Sequence, residues 1–134
     1  MATFKKEYLD AKEPIHFRKL KVDDLSDATE SEFDTRVTVV YTDAGAEKTF
    51  TAVGNGPIDA VQRGLMEELD IRIKILDYEE HALQSGSNSQ AAAYIHMLDS
   101  QTGMVTYGVG VSSNITRASV RAIFSAVNRL RERG

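Results

Sequence analysis

The chain predicts an α+β fold: two βββα units in tandem, each a mostly antiparallel sheet with one helix packed on it. Phe33, Thr35, Val37, Val39 and Tyr41 alternate with polar residues, the pattern of a half-buried strand, and other stretches repeat it more weakly. Ile58, Val61, Leu65 and Leu69 instead have helical spacing, as does the run after Ile115. The third strand of each half ends in glycines, Gly54-Asn55-Gly56 and Gly108-Val109-Gly110, just ahead of a helix.

The elements follow in order. Residues 1–14 are charged, lack a period and end at Pro14, so they form an arm, with a helical turn expected around Lys5 to Leu9. The domain proper is residues 15–134, divided into units 15–70 and 71–134. Ile15 to Val22 is the first strand, with Phe17 its best core residue, and Asp23 to Ser31 is an acidic loop. The alternating run from Phe33 is the second strand, Asp43-Ala44-Gly45 a turn, and Lys48 to Val53 the third strand. A helix runs from Pro57 to Leu69. Ile71, Ile73 and Ile75 alternate with Arg72 and Lys74 in a fourth strand, which continues to Leu83; Ser85 to Asn88 is a turn. Gln90 to Leu98 is the fifth strand, Asp99 to Gly103 a hairpin loop and Val105 to Val111 the sixth strand. Ser112-Ser113-Asn114 offers N-cap residues for a last helix from Ile115 to Leu130, whose terminal arginines suit the negative pole of its dipole. Ala91, Ala92, Ala93, Ala118, Ala122 and Ala126 are small enough for a close helix-on-sheet or chain-on-chain approach.

At 134 residues the chain has enough length for a core. Its net charge is −4, with both signs mixed along it, so it offers no basic patch for nucleic acid. No apolar run reaches membrane-spanning length, and the absence of cysteine fits a reducing compartment; a cytoplasmic location is expected. His16, His81 and His96 lack the spacing of a metal pair, and no nucleophile elbow or Walker loop occurs. Glu79-Glu80-His81 has the residue types of an acid/base site, but an exposed charged loop explains it equally well. No catalytic or metal-ligating residue and no cofactor is therefore assigned; the residues describe a small-ligand-binding or dimerising domain.

The candidate site is the corner Gly54-Asn55-Gly56-Pro57-Ile58. Pro57 fits the first helical position, and glycines allow close approach and positive φ. The free N–H groups of the first helical turn favour an anion such as a carboxylate. A plain turn with proline at the helix start accounts for the same residues.

Phe4-Lys5-Lys6-Glu7-Tyr8, Gly54-Asn55-Gly56-Pro57, Leu76-Asp77-Tyr78 with His81-Ala82, Gln90-Ala91-Ala92-Ala93-Tyr94, Gly108-Val109-Gly110, and Ile115-Thr116-Arg117-Ala118-Ser119 with Ala126-Val127-Asn128-Arg129 occur in a specific order. Together they resemble the C-terminal regulatory domain of 2-isopropylmalate synthase, the leucine-feedback domain shared with citramalate synthases. The resemblance implies a duplicated βββα fold that forms a homodimer and binds the end-product amino acid, L-leucine or isoleucine, near the dimer interface. It implies a parent acyltransferase of leucine biosynthesis that condenses acetyl-CoA with 3-methyl-2-oxobutanoate. That chemistry would occur on an N-terminal TIM barrel with a divalent metal. The barrel is absent here, so the chain alone is expected to be inactive. The matching ligand positions are Gly54, Asn55, Gly56, Pro57, Ile58, Ile75, Tyr78, Ala82, Ser89 and Ile115; Ser89 departs from the alanine usual there. Asn55, Asp77 or backbone carbonyls would accept from the ligand's ammonium, while Ile58, Ile75, Ala82 and Ile115 would form a dry wall.

Overall fold

The computed structural model describes residues 15–25, 33–82 and 90–133. Its elements are β1 (Ile15–Asp24), β2 (Thr35–Asp43), β3 (Ala46–Gly54), α1 (Pro57–Leu69), β4 (Ile73–Ala82), β5 (Ala91–Asp99), β6 (Val105–Ser112) and α2 (Ile115–Arg133). Strands β1-β2-β3 make one antiparallel sheet and β4-β5-β6 another. The order is βββα twice, as the periodicity predicts. The arm over 1–14, most of the acidic loop and the turn at Ser85 to Asn88 lie outside the described residues.

In β2, Thr35, Val37, Val39 and Tyr41 are buried, and the residues between them form the outer face. The core residue of β1 is Ile15, 1% exposed, rather than Phe17, which is half-buried and tilted against Phe124 with centroids 5.8 Å apart. Asn128 of α2 fixes Ile15 there: its Oδ1 accepts from the Ile15 N–H and its Nδ2 donates to the Ile15 carbonyl, both at 2.9 Å. Ile71 precedes β4 instead of opening it. Asp70 takes a left-handed conformation that ends α1, and the Ile71 N–H turns back to the Met66 carbonyl at 3.1 Å.

Helix α2 sits over β5 and β6 and also reaches β1 and α1. Phe124 from this helix meets Tyr41 edge-on at 5.9 Å, which joins the two units in one core. Close approach to β6 depends on Gly108 and Gly110. A Cβ at Gly108 would collide with the Ala122 carbonyl oxygen, and one at Gly110 with that of Ala118. Ala93, Ala118 and Ala122 are fully buried, so these alanines serve helix-on-sheet packing and leave nothing for chain-on-chain contact. The two glycine pairs, alike in sequence, therefore act differently: one lies within β6 and admits a helix, while the other turns a corner.

Both units carry a bulge at the same point of their first strand. The register slips between Phe17 and Lys19 in β1 and between Ile75 and Asp77 in β4. The shift along the chain that takes Ile15 onto Ile73 takes Arg18 onto Leu76, the two bulged residues.

Candidate functional site

The corner before α1 is built around Gly56, whose φ of 96° and ψ of 162° belong to a region open essentially to glycine alone. Gly54 needs its missing side chain for a different reason: a Cβ there would strike the Ala60 backbone and the Asp59 carboxylate. The N–H groups just ahead of the helix are already engaged. Asn55 N–H donates to Asp59 Oδ2 at 2.9 Å, and Gly56 N–H donates to Asp34 Oδ1 at 3.0 Å. Asp34 also accepts from Thr35 Oγ1 at 2.7 Å, and Asp59 from Arg63 Nε at 2.9 Å. Within the first turn, Pro57 has no N–H, and Ala60 N–H returns to the Gly56 carbonyl at 3.1 Å. No side chain at the N-cap closes the helix, so among the described residues the N–H groups of Ile58 and Asp59 are its open donors. The corner thus presents donors on the helix axis beside two carboxylates.

The start of α2 is closed. Asn114 Oδ1 accepts from Arg117 N–H at 3.0 Å, and Asn114 N–H donates to Ser112 Oγ at 3.2 Å.

The bulge at Leu76 decides which β4 side chains face inward. Strict alternation from Ile73 and Ile75 would send Asp77 inward and Tyr78 outward; the extra residue reverses this. Tyr78 turns toward α2, where its hydroxyl lies 2.6 Å from both Ser119 Oγ and Glu80 Oε2. Burial raises the Tyr78 pKa, the Glu80 carboxylate adds to the rise, and the Ser119 contact opposes it. Beyond Tyr78, a cavity of about 180 Å³ is lined by Glu80, His81, Ala82, Ala91 and Ile115. Ile75 and Ile58 are half-buried against the core.

The predicted site residues therefore fall into groups. Gly54, Asn55, Gly56, Pro57 and Ile58 form the corner. Tyr78, Ala82 and Ile115 come together where β4 meets the start of α2, whereas Ile75 pairs with Met97 farther along the strand. Asp77 faces the other side of the sheet, its Oδ1 accepting the Tyr78 N–H at 2.9 Å. Ser89 lies outside the described residues. Among the described residues, no hydrogen bond joins the corner to the Tyr78 group. Sequence reasoning missed Asp34, Asp59, Glu80 and Ser119. Asp59 had a signal, an acidic residue in a helix's first turn; Asp34 had none, because its contact spans the sheet.

Glu79 and His81 are exposed on the outer face of β4, 3.3 Å apart, rather than on a loop. Glu80 points inward, so the three residues do not converge as an acid/base set. No group of three or more metal-ligating residues occurs among the described residues, and no helix among them is long and apolar enough to cross a membrane.

The outer faces of the two sheets differ. Across β2 and β3 the first presents Arg36, Thr38, Val40, Thr42, Glu47, Thr49, Thr51 and Val53. The second exposes Leu76, Tyr94, Tyr107 and Val109, and Tyr107 is 57% exposed. His96 stacks on Tyr107 with centroids 4.3 Å apart, beside a cavity of about 250 Å³ that Asp77 and Glu79 border.

A family model described as the LeuA allosteric (dimerisation) domain matches residues 1–131. The chain is 36% identical over 126 residues to a 2-isopropylmalate synthase of Clostridium acetobutylicum and 38% identical over 126 residues to one of Corynebacterium efficiens, in each case over 94% of its own length. It is 47% identical over 93 residues to one from a Parafrankia strain, covering 69% of this chain. It spans only 22%, 21% and 16% of those three relatives' lengths.

Proposed function

As the chain belongs to the LeuA allosteric (dimerisation) domain family, we propose that it is the regulatory part of a cytoplasmic 2-isopropylmalate synthase, binding L-leucine as feedback inhibitor and self-associating. The family match over nearly the whole chain carries this reading. The catalytic barrel of the parent, with its divalent metal and its condensation of acetyl-CoA with 3-methyl-2-oxobutanoate, belongs outside this chain, and the chain alone has no turnover.

The corner's chemistry suits a zwitterion. An amino acid's carboxylate would accept from the Ile58 and Asp59 N–H groups at the positive end of α1. Its ammonium would lie against Asp34 and Asp59. Asn55 and Pro57 hold the turn's shape. Ile58, Ile75, Tyr78, Ala82 and Ile115 supply apolar wall; Asp77, on the other face, takes no part. Burying a leucine side chain is worth roughly 2–3 kcal/mol. The corner and the Tyr78 group each sit at a helix start in their own unit, so a second copy of the chain is the natural means of completing one pocket from both. The exposed Tyr94, Tyr107 and Val109 face is the self-association surface.

Calorimetry with L-leucine, L-isoleucine and L-valine tests the effector. The reading predicts tightest binding for leucine. Tighter isoleucine binding would move the parent to citramalate synthase, and no binding by any of the three to self-associated protein would leave a ligand-free dimerisation module. Sedimentation of Tyr107→Lys tests the surface: the variant should be monomeric at concentrations where the unaltered chain associates, and unchanged association would exclude that face.

A further inference from the structure

Each unit sets the outer edge of its third strand beside its own helix, and the two edges are finished differently. In the second unit α2 bonds two backbone groups of the edge. Arg121 Nη1 donates to the Val111 carbonyl at 2.9 Å, and Ser125 Oγ accepts from the Val109 N–H at 3.3 Å. The shift relating the two bulges also takes Thr51 onto Val109, Val53 onto Val111, Arg63 onto Arg121 and Glu67 onto Ser125. The first unit thus has the same arginine at the same place, but it faces elsewhere. Arg63 Nε donates to Asp59, and its guanidinium carbon lies 4.8 Å from the centre of the Phe33 ring. Where the second unit has its serine, the first has the exposed carboxylate of Glu67.

The edge of β3 is left with its backbone groups unmatched. The tight turn at Ala44-Gly45 makes Asp43 and Ala46 a hydrogen-bonded pair. Alternation along the ladder then points the N–H and C=O groups of Thr51 and Val53 away from β2. Among the described residues no side chain bonds to them. Along this edge runs a cleft of about 530 Å³, lined by Thr51, Val53, Glu67 and three arginines, Arg36, Arg63 and Arg72. Asp23 stands opposite Arg36 in the ladder and Asp59 holds Arg63, but neither carboxylate lines the cleft.

We infer that this edge is a docking site for an extended, acidic segment of a partner polypeptide, which adds as a fourth strand beside β3. The unpaired backbone groups fit a strand, the one conformation that meets them in register. Arginine outnumbers carboxylate along the cleft, which sets the sign of the segment's charge. Arg36 and Val53 lie on the sheet's outer face while Arg63 and Glu67 come from the helix side, so alternate side chains of an added strand would meet different walls. The sister edge is the internal contrast: there its own helix bonds the Val109 N–H and the Val111 carbonyl, at the positions of Thr51 and Val53. The inference goes beyond the effector reading and does not rest on it, and its assay contains no amino-acid effector.

The test uses the full chain and a fluorescein-labelled peptide of about ten residues, alternating valine and glutamate, with a valine–lysine peptide as counterpart. Anisotropy at low ionic strength should show binding of the glutamate peptide and none of the lysine peptide. Amide exchange followed by NMR should slow at Thr51 and Val53. Arg36→Glu combined with Arg72→Glu should weaken binding by about tenfold or more, whereas Arg129→Glu, the same kind of charge reversal on the exposed side of α2 and outside the cleft, should leave it within about twofold. Absence of binding by the glutamate peptide, equal binding by the lysine peptide, equal weakening by Arg129→Glu, or binding that leaves Thr51 and Val53 exchange unaltered would each overturn the inference.

Discussion

The two βββα units repeat one plan, down to the bulge in the first strand, and differ where the third strand meets the helix. The second unit makes its own contacts there: Asn114 caps α2, and Arg121 and Ser125 each bond a backbone group at the edge of β6. The first unit leaves both places open, with glycine at the helix start and a cleft along the edge of β3. Since the framework is the same, the difference cannot be a requirement of folding. On the proposed reading, the second unit serves packing and the first receives ligands.

The largest expected contrast is between the two glycine pairs. Gly108→Ala drives a methyl into the backbone of α2, which has nowhere to move. It should cost about 4 kcal/mol or more and abolish cooperative unfolding in urea. Gly56→Ala meets open space and pays only for its backbone conformation, about 1–3 kcal/mol by the same measurement. Equal losses would mean that the two pairs serve one purpose.

Next is the helix residue that faces the opposite unit. Phe124 is 3% exposed and touches both Phe17 and Tyr41, so Phe124→Ala should cost about 3–5 kcal/mol. Its counterpart Met66 is only half-buried, and Met66→Ala should cost less than half as much. A smaller effect belongs to the cap: Asn114→Ala should lower stability by about 1 kcal/mol.

The smallest contrast is one of pH. Tyr41 is buried and donates to Glu68 Oε1 at 3.0 Å; burial first, then that bond, raise its pKa from 10.0 to about 12. The folded chain therefore keeps a proton that the unfolded chain loses over this range. Stability is full below pH 10 and falls as pH rises toward 12. The second unit has Met97 in the equivalent place of its middle strand and its own raised tyrosine, Tyr78, on β4 instead. Urea midpoints measured across this range should fall for the unaltered chain and fall less steeply in Tyr41→Phe, which leaves only the raised Tyr78.

Local periodicity carried most of the fold into the sequence. The bounds of α1 and the inward residues of β2 follow from spacing alone, because each depends on neighbours a few positions away. What escaped depends on contacts across the fold. The bulge at Leu76 adds one residue and so exchanges the faces of Asp77 and Tyr78, which no alternation pattern reveals. The reach of Asp34 to the Gly56 N–H joins the residue before β2 to the corner after β3, 22 positions along the chain. The alanines read equally as helix-on-sheet or chain-on-chain contacts until Gly108 and Gly110 are seen drawing α2 onto β6. Of the site, the glycine corner was legible because its backbone demands a residue type. The carboxylates beside it were not, because aspartate near a turn has many ordinary reasons.

Titrating L-leucine calorimetrically into Gly56→Ala and Asn114→Ala, side by side with the unaltered chain, tests the division of labour most directly. If the first unit's open helix start receives the effector, Gly56→Ala should lose about tenfold or more in affinity, because its corner donors are turned away. Asn114→Ala, though less stable, should stay within about twofold of the unaltered chain. Equal losses in both variants, or full affinity in Gly56→Ala, would contradict the account.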